Sequence, residues 1–303
     1  AVLKQVEETT SKRVKDFYEE SPYPKYEFRE TAQEYSNLDL DLYIKRMVAR
    51  EIDNVKIVKK PKILIAGAGT GGPAIRFCTT LNNAEITALD LSFNSLAYGK
   101  RIAEDNNIKN IEYIQGDILD IKKINKKFDL IHCTGVLHHM KDPEKGLKSL
   151  VDVLETGGFV QLAYYSEISK KYLEPYRKMI KDNKYTSEIT DIRNFRSQII
   201  NSPDKMEIHR TVDFYNLSML RDLLFHPQEK FYNLEALKKI FELNKLEFLG
   251  FNLGQAALLA NKNTYLKLFP NDVNLTNLDN WSKYEKKYPM TFKSMYQFIV
   301  RKQ

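Results

Sequence analysis

Residues 61–90 read Pro-Lys-Ile-Leu-Ile-Ala-Gly-Ala-Gly-Thr-Gly-Gly-Pro-Ala-Ile-Arg-Phe-Cys-Thr-Thr-Leu-Asn-Asn-Ala-Glu-Ile-Thr-Ala-Leu-Asp, an order that few backbone arrangements accommodate. The apolar run Ile63–Ala66 predicts a strand buried on both faces, and the glycines after it predict a sharp turn. A helix follows the turn, and a second strand ends in Asp90. A strand, glycine turn, helix and acid-terminated strand form a socket for a nucleoside. Backbone without Cβ atoms lets the ligand approach, and the carboxylate can accept hydrogen bonds from two ribose hydroxyls. Gly67, Gly69 and Gly72 also satisfy G-x-G-x-x-G, which does not by itself distinguish a nicotinamide dinucleotide from another adenosine-bearing cofactor.

The alternation continues. Residues 111–118 predict a third strand that ends in Gly116-Asp117-Ile118, and 128–140 a fourth that runs through Thr134-Gly135-Val136 into His138-His139-Met140. Asp142-Pro143 caps a helix that runs to about Leu154 and ends at Gly157-Gly158, ahead of a fifth strand over Phe159–Tyr165. Strands alternating with helices predict a doubly wound α/β fold with a mostly parallel sheet.

The series Ile-Ala-Gly-Ala-Gly-Thr-Gly, Leu-Asp-Leu-Ser, Gly-Asp-Ile-Leu, Phe-Asp-Leu-Ile and Gly-Val-Leu-His-His-Met-Lys-Asp-Pro resembles the class I S-adenosylmethionine-dependent methyltransferases over residues 61–165. Asp16-Phe-Tyr-Glu-Glu-Ser-Pro-Tyr-Pro-Lys-Tyr26, Arg221–Glu229, Leu246–Phe251 and Met295–Phe298 resemble the branch often fused to tetratricopeptide repeats. A weaker similarity points to rickettsial protein lysine methyltransferases. The resemblance implies a seven-stranded Rossmann-like sheet whose last strand runs antiparallel, with S-adenosylmethionine as cofactor. It further implies that Gly67, Gly69 and Gly71 cradle the methionine part, Asp90 with Leu91 the ribose, and Asp117 with Ile118 the adenine. Thr134, Gly135 and Val136 would floor the sulfonium. The chain departs from the wider family at Ile65, where many members carry an acid that binds the cofactor's amino group, so another acceptor must serve it here.

Residues 1–60 carry apolar positions at helical spacing and predict a helical cap, with Tyr23 and Tyr26 in a proline-stiffened turn at the cofactor mouth. Residues 61–165 and 231–303 form the predicted core, and 166–230, helical and polar, a lid after the fifth strand. Candidate catalytic groups are His138, His139 and Tyr164. A histidine there could serve as general base, or the pair could only pack the cofactor loop. Candidate substrate contacts are Tyr23, Tyr26, Tyr165, Arg193 and Arg196, the arginines lying in a segment whose Arg–Asp pairs could equally lock helices to the core.

No run reaches the roughly 18–20 apolar residues of a membrane span, and no signal peptide is recognisable, so a cytoplasmic location is expected. Cys78 and Cys133 fall on apolar faces as inert thiols, and no Cys/His/acid spacing suggests a metal. The net charge of +7 hints at an acidic partner, but no nucleic-acid module accompanies it. The function expected is methyl transfer to a nucleophile, favouring nitrogen of a protein side chain or small metabolite. The competing readings are an NAD-dependent oxidoreductase, which lacks a hydride-transfer constellation, and a binding protein that keeps the socket without catalysis.

Overall fold

The computed structural model describes residues 1–3, 8–20, 22–23, 37–202, 207–253, 255–293 and 295–303. Its centre is a sheet with the order β3-β2-β1-β4-β5-β8-β7. These strands are β1 (Lys62–Ala66), β2 (Glu85–Asp90), β3 (Ile111–Gln115), β4 (Phe128–Thr134), β5 (Leu154–Ser166), β7 (Leu246–Phe251) and β8 (Tyr296–Lys302). The first five run parallel, and β8 lies antiparallel between β5 and β7.

Eight strands form the sheet, not the expected seven, because β6 (Phe231–Tyr232) pairs with the end of β5. The physical reason lies in β5's length. Its pairing with β8 stops at Tyr164–Tyr296, which leaves the backbone of Tyr165 and Ser166 beyond the ladder, and Phe231 and Tyr232 take it up. The fifth strand also starts earlier than expected. The helix α5 (Pro143–Asp152) stops short of Leu154, and Gly157, at φ 76°, lies inside the strand rather than ahead of it.

Side chains alternate across the strands and so divide the core. Leu64, Ala66, Ile131, Cys133, Val160 and Leu162 point to one face, against α5, α10 (Leu234–Leu243) and α12 (Leu278–Lys287). Ile63, Ile65, Leu130 and Phe159 point to the other, against α2 (Leu40–Val48) and α3 (Gly72–Thr80). Cys133 is buried and Cys78 partly so, both as free thiols.

After β5 the chain forms α6 (Glu174–Asp182), α7 (Ile189–Ile200), α8 (Val212–Tyr215) and α9 (Leu217–Phe225), which enclose a small core of their own around Tyr176, Phe195, Phe214 and Leu220. The helix α11 (Gln255–Leu268) lies between β7 and α12. At the front, α1 (Thr9–Glu20) ties two regions together. Glu19 accepts from the Phe93 and Asn94 amides at the start of α4 (Phe93–Asp105), where the helix dipole favours an anion. At the other side Arg221 of α9 donates to the Phe17 carbonyl and to Glu20. Among the described residues, no helix is long and apolar enough to cross a membrane.

Candidate functional site

The carboxyl ends of β1 to β5 open into a cavity of about 1240 Å³. Ligand sites of open α/β sheets are built at such an edge. Its volume exceeds the roughly 300–1,000 Å³ usual for one small ligand, leaving room for a second molecule.

The glycine loop is pinned from below and shaped from the side. The Gly67 and Ala68 amides both donate to the Leu89 carbonyl, and the Gly69 amide donates to Asp90 Oδ2 at 2.7 Å. Asp90 Oδ1 accepts from the Ser92 amide at 2.8 Å. Burial pushes this carboxyl above its ordinary pKa, and the Ser92 and Gly69 amides oppose the shift. Gly67 is required twice over: its φ is +77°, and a Cβ there would lie 2.2 Å from Val136 Cγ2. One strand over, Asp117 caps a 3-10 turn by accepting from the Leu119 amide, and it lines the cavity beside Ile118.

Of the residues expected to hold a cofactor, Gly67, Gly69, Asp90, Leu91, Asp117, Ile118, Thr134, Gly135 and Val136 all border this cavity. Gly71 does not. It stands at the start of α3 with φ +88°, and a Cβ would meet Gly99 Cα of α4 at 2.8 Å, so it serves helix packing rather than the cavity wall.

The other expectations divide along the sheet's alternation. Tyr165 lines the cavity, whereas Tyr164 points to the opposite face, fully buried against Tyr232 and Phe298. His139 lines the cavity, whereas His138 is enclosed beneath it, its ring 4.1 Å from that of Tyr165. Tyr23 borders the cavity, and Tyr26 lies outside the described residues. Arg193 is exposed on α7 away from the cavity, and Arg196 donates to the Tyr215 carbonyl. Both arginines follow from α7 turning Ile192, Phe195 and Ile199 into the helical segment's own core.

Two groups of lining residues have members that the sequence reading did not put forward, Tyr18 in the first and all four of the second, while Asp222 and His226 lie in the polar stretch already offered as partly facing the pocket. The first stands where α1, α9 and β5 meet: Tyr18 donates to Asp222 Oδ1 at 2.6 Å, with Tyr23, Tyr165 and His139 around it. Burial raises Asp222 to about 6, opposed by the Tyr18 hydrogen bond and by Lys170. Burial lowers His139 to about 4, against a hydrogen bond to the Gln228 carbonyl, and it is therefore neutral at pH 7. His226 contacts the same carbonyl and stacks on His139 with ring centroids 3.7 Å apart. Potential ligand atoms of His139, Asp222 and His226 lie within 4.8 Å of one another, a group that spacing along the chain could not reveal. The second group, Tyr43, Arg76, His132 and Gln161, lies below the glycine loop. Its only sequence signal is a polar residue set among apolar neighbours in each of two strands, His132 between Ile131 and Cys133 in β4 and Gln161 between Val160 and Leu162 in β5.

A family model described as "Methyltransferase domain" matches residues 57–216. An uncharacterized protein of Synechococcus sp. is 31% identical over 203 residues, covering 64% of this chain and 49% of its own. The ubiquinone biosynthesis O-methyltransferase of Coxiella burnetii is 28% identical over 109 residues, covering 36% of this chain and 46% of that protein. Among solved structures, PKMT2 from Rickettsia typhi in complex with AdoHcy matches with a TM-score of 0.68 at 18% identity, covering 93% of this chain and 55% of that one. The chain spans about half the length of these relatives. With the glycine loop, the two strand-end acids and the cavity they border, the family match shows that the chain belongs to the S-adenosylmethionine-dependent methyltransferase domains.

Proposed function

We propose that the protein methylates a nitrogen nucleophile, an amine of a protein side chain or small metabolite, with S-adenosylmethionine as donor. The observation that carries this reading is Asp222, a buried carboxylate facing the cavity with Tyr18, Tyr23 and Tyr165 beside it. A carboxylate among aromatic rings suits a cationic amine, since the charge attracts it and the ring faces hold it while excluding water.

S-adenosylmethionine supplies an electrophilic methyl group on a positive sulfur. Transfer needs a neutral lone pair held in line about 3–3.5 Å from that carbon. The ammonium must therefore lose a proton first, and Asp222 at about 6 is better matched to accept it than His139 at about 4. In this reading Asp222 takes the proton, His139 and Tyr165 shape the wall, and His138 supports them from beneath, with Tyr164 left to the core on the other face. With S-adenosylmethionine held there, the neutral amine would gain its C–N bond as the C–S bond of the donor broke, leaving the demethylated cofactor to depart.

Asp90 and Leu91 would hold the ribose, Asp117 and Ile118 the adenine, and Gly67 with Gly69 the methionine part. Residues 1–60 act as a cap, 61–165 with 231–303 as the core, and 166–230 as a lid over the acceptor; the bonds from α1 to both α4 and α9 support this division. The Asp16–Tyr26 and Arg221–Glu229 segments support membership of the branch often fused to tetratricopeptide repeats.

Radiolabelled S-adenosylmethionine, offered with protein and small-amine panels, tests the acceptor class. The expected result is label on nitrogen, with turnover lost in Asp222→Asn while AdoHcy affinity stays within about threefold. Label found on oxygen alone refutes the amine reading. No transfer despite intact AdoHcy binding points instead to a binding protein.

A further inference from the structure

Below the glycine loop, the face of the sheet that packs on α2 and α3 carries polar groups that a nucleoside does not need. His132 of β4 stands in register with Ile65 of β1 on one side and Gln161 of β5 on the other. His132 and Gln161 are each 4% exposed, yet both border the cavity. The Tyr43 hydroxyl donates to Gln161 Oε1 at 3.0 Å, and Gln161 also hydrogen-bonds the imidazole. His132 Nδ1 has no hydrogen-bond partner, nor does Thr134 Oγ1 two residues along the same face.

Orphaned buried polar atoms cost free energy, and two on one strand at one cavity mark a site whose partner arrives with a ligand. Because Gln161 engages the other ring nitrogen, Nδ1 is left as the bare acceptor. The ring is neutral, since burial and then the charge of Arg76 pull its pKa down to about 3. Arg76, at an exposed position in α3 just past the glycine loop, lines the same cavity, and no acid pairs with it among the described residues. A guanidinium suits a carboxylate, and a neutral acceptor beside it suits an ammonium.

We propose that Arg76, His132 and Gln161 form a subsite for an α-amino-acid zwitterion, the amino-acid end of the methyl donor. Arg76 receives the carboxylate and His132 Nδ1 accepts from the ammonium, while Gln161, already accepting from Tyr43 and the imidazole, fixes the ring so that Nδ1 faces the ligand. Ile65, in register with His132, lacks the acid that would otherwise do so. This inference rests on the donor reading above and names residues that reading did not.

The test compares AdoHcy with 5′-methylthioadenosine, which keeps the nucleoside and sulfur but lacks the amino-acid end, by calorimetry on the full chain. Arg76→Gln, at an exposed position where folding is not at stake, is expected to weaken AdoHcy about 10-fold or more, the worth of a hydrogen bond to a charged group. Its affinity for 5′-methylthioadenosine should stay within about twofold. His132→Leu should follow the same pattern, with His132→Asn recovering part of the loss through its amide oxygen. Equal losses on both ligands, or no loss on either, overturn the subsite. A parent that binds AdoHcy no better than 5′-methylthioadenosine overturns it alone, whereas a parent that binds neither overturns the donor reading with it.

Discussion

Replacing Asp90 with alanine removes two things at once, and they can be measured apart. The carboxylate accepts the Gly69 and Ser92 amides at 2.7 and 2.8 Å, so its loss frees the glycine loop from the end of β2. The position is partly solvent-exposed and water can replace some of that bonding, so the stability cost is of order 2 kcal/mol, read as a fall of a few degrees in Tm. Binding loses more. Two ribose hydroxyls donating to one carboxylate are worth about 1.5–3 kcal/mol each, so AdoHcy affinity should fall by about 10²- to 10⁴-fold. Asp90→Asn separates the effects: one amide oxygen still accepts, but its NH2 group confronts a backbone N–H, and binding should fall between parent and alanine variant. Calorimetric titration well below the Tm, with circular dichroism confirming the fold, gives both numbers. A folded Asp90→Ala protein that binds AdoHcy within about threefold of the parent would refute the assignment of this carboxylate to the ribose.

Gly67→Ala combines a positive φ with a 2.2 Å approach to Val136 Cγ2, and should destabilise by about 2–4 kcal/mol in chemical denaturation. Val136→Ala on the same background should recover at least about 1 kcal/mol, because it removes the two nearest atoms; strict additivity would show that the clash is not the cause. For an amine acceptor, kcat/KM of the parent should rise with pH through about 6, where Asp222 ionises, and a flat profile there would count against the role given to this carboxylate. Because this carboxyl is raised from 3.8 to about 6, its contribution to stability is full below about 3.8 and lost as pH rises through about 6. Asp222→Asn should therefore gain on the parent in Tm between pH 4 and 7. Dialysis against a chelator should leave methyl transfer unchanged, since Tyr18 and the Gln228 carbonyl already engage Asp222, His139 and His226; a loss that zinc restores would make that cluster a metal centre.

The glycine-loop half of the cavity was legible because it is local. Gly67, Gly69, Asp90 and Asp117 sit at fixed offsets from strand ends, and strand periodicity locates those ends. The same periodicity, applied strictly, separates Tyr165 from Tyr164, which had been paired with the two histidines as candidate catalytic groups. The arginines went astray for a different reason. Arg193 and Arg196 look like binding groups in a polar helical stretch, but α7 buries its apolar stripe in the helical segment's own core and leaves Arg193 at the surface and Arg196 on a backbone carbonyl. Nothing in the local pattern says which surface a lone helix will face.

From the sequence alone follow the alternating α/β core and the glycine turn with its acids, because each depends on residues near one another in the chain, whereas the antiparallel last strand was expected only through the family resemblance. Only the tertiary structure decided that β5 acquires β6 as a partner, that Asp222 meets Tyr18 from a segment 204 positions away, and that His132 and Gln161 stand side by side beneath the glycine loop. Contacts of that kind are set by how faces pack, and packing depends on all the elements at once rather than on any stretch read in isolation.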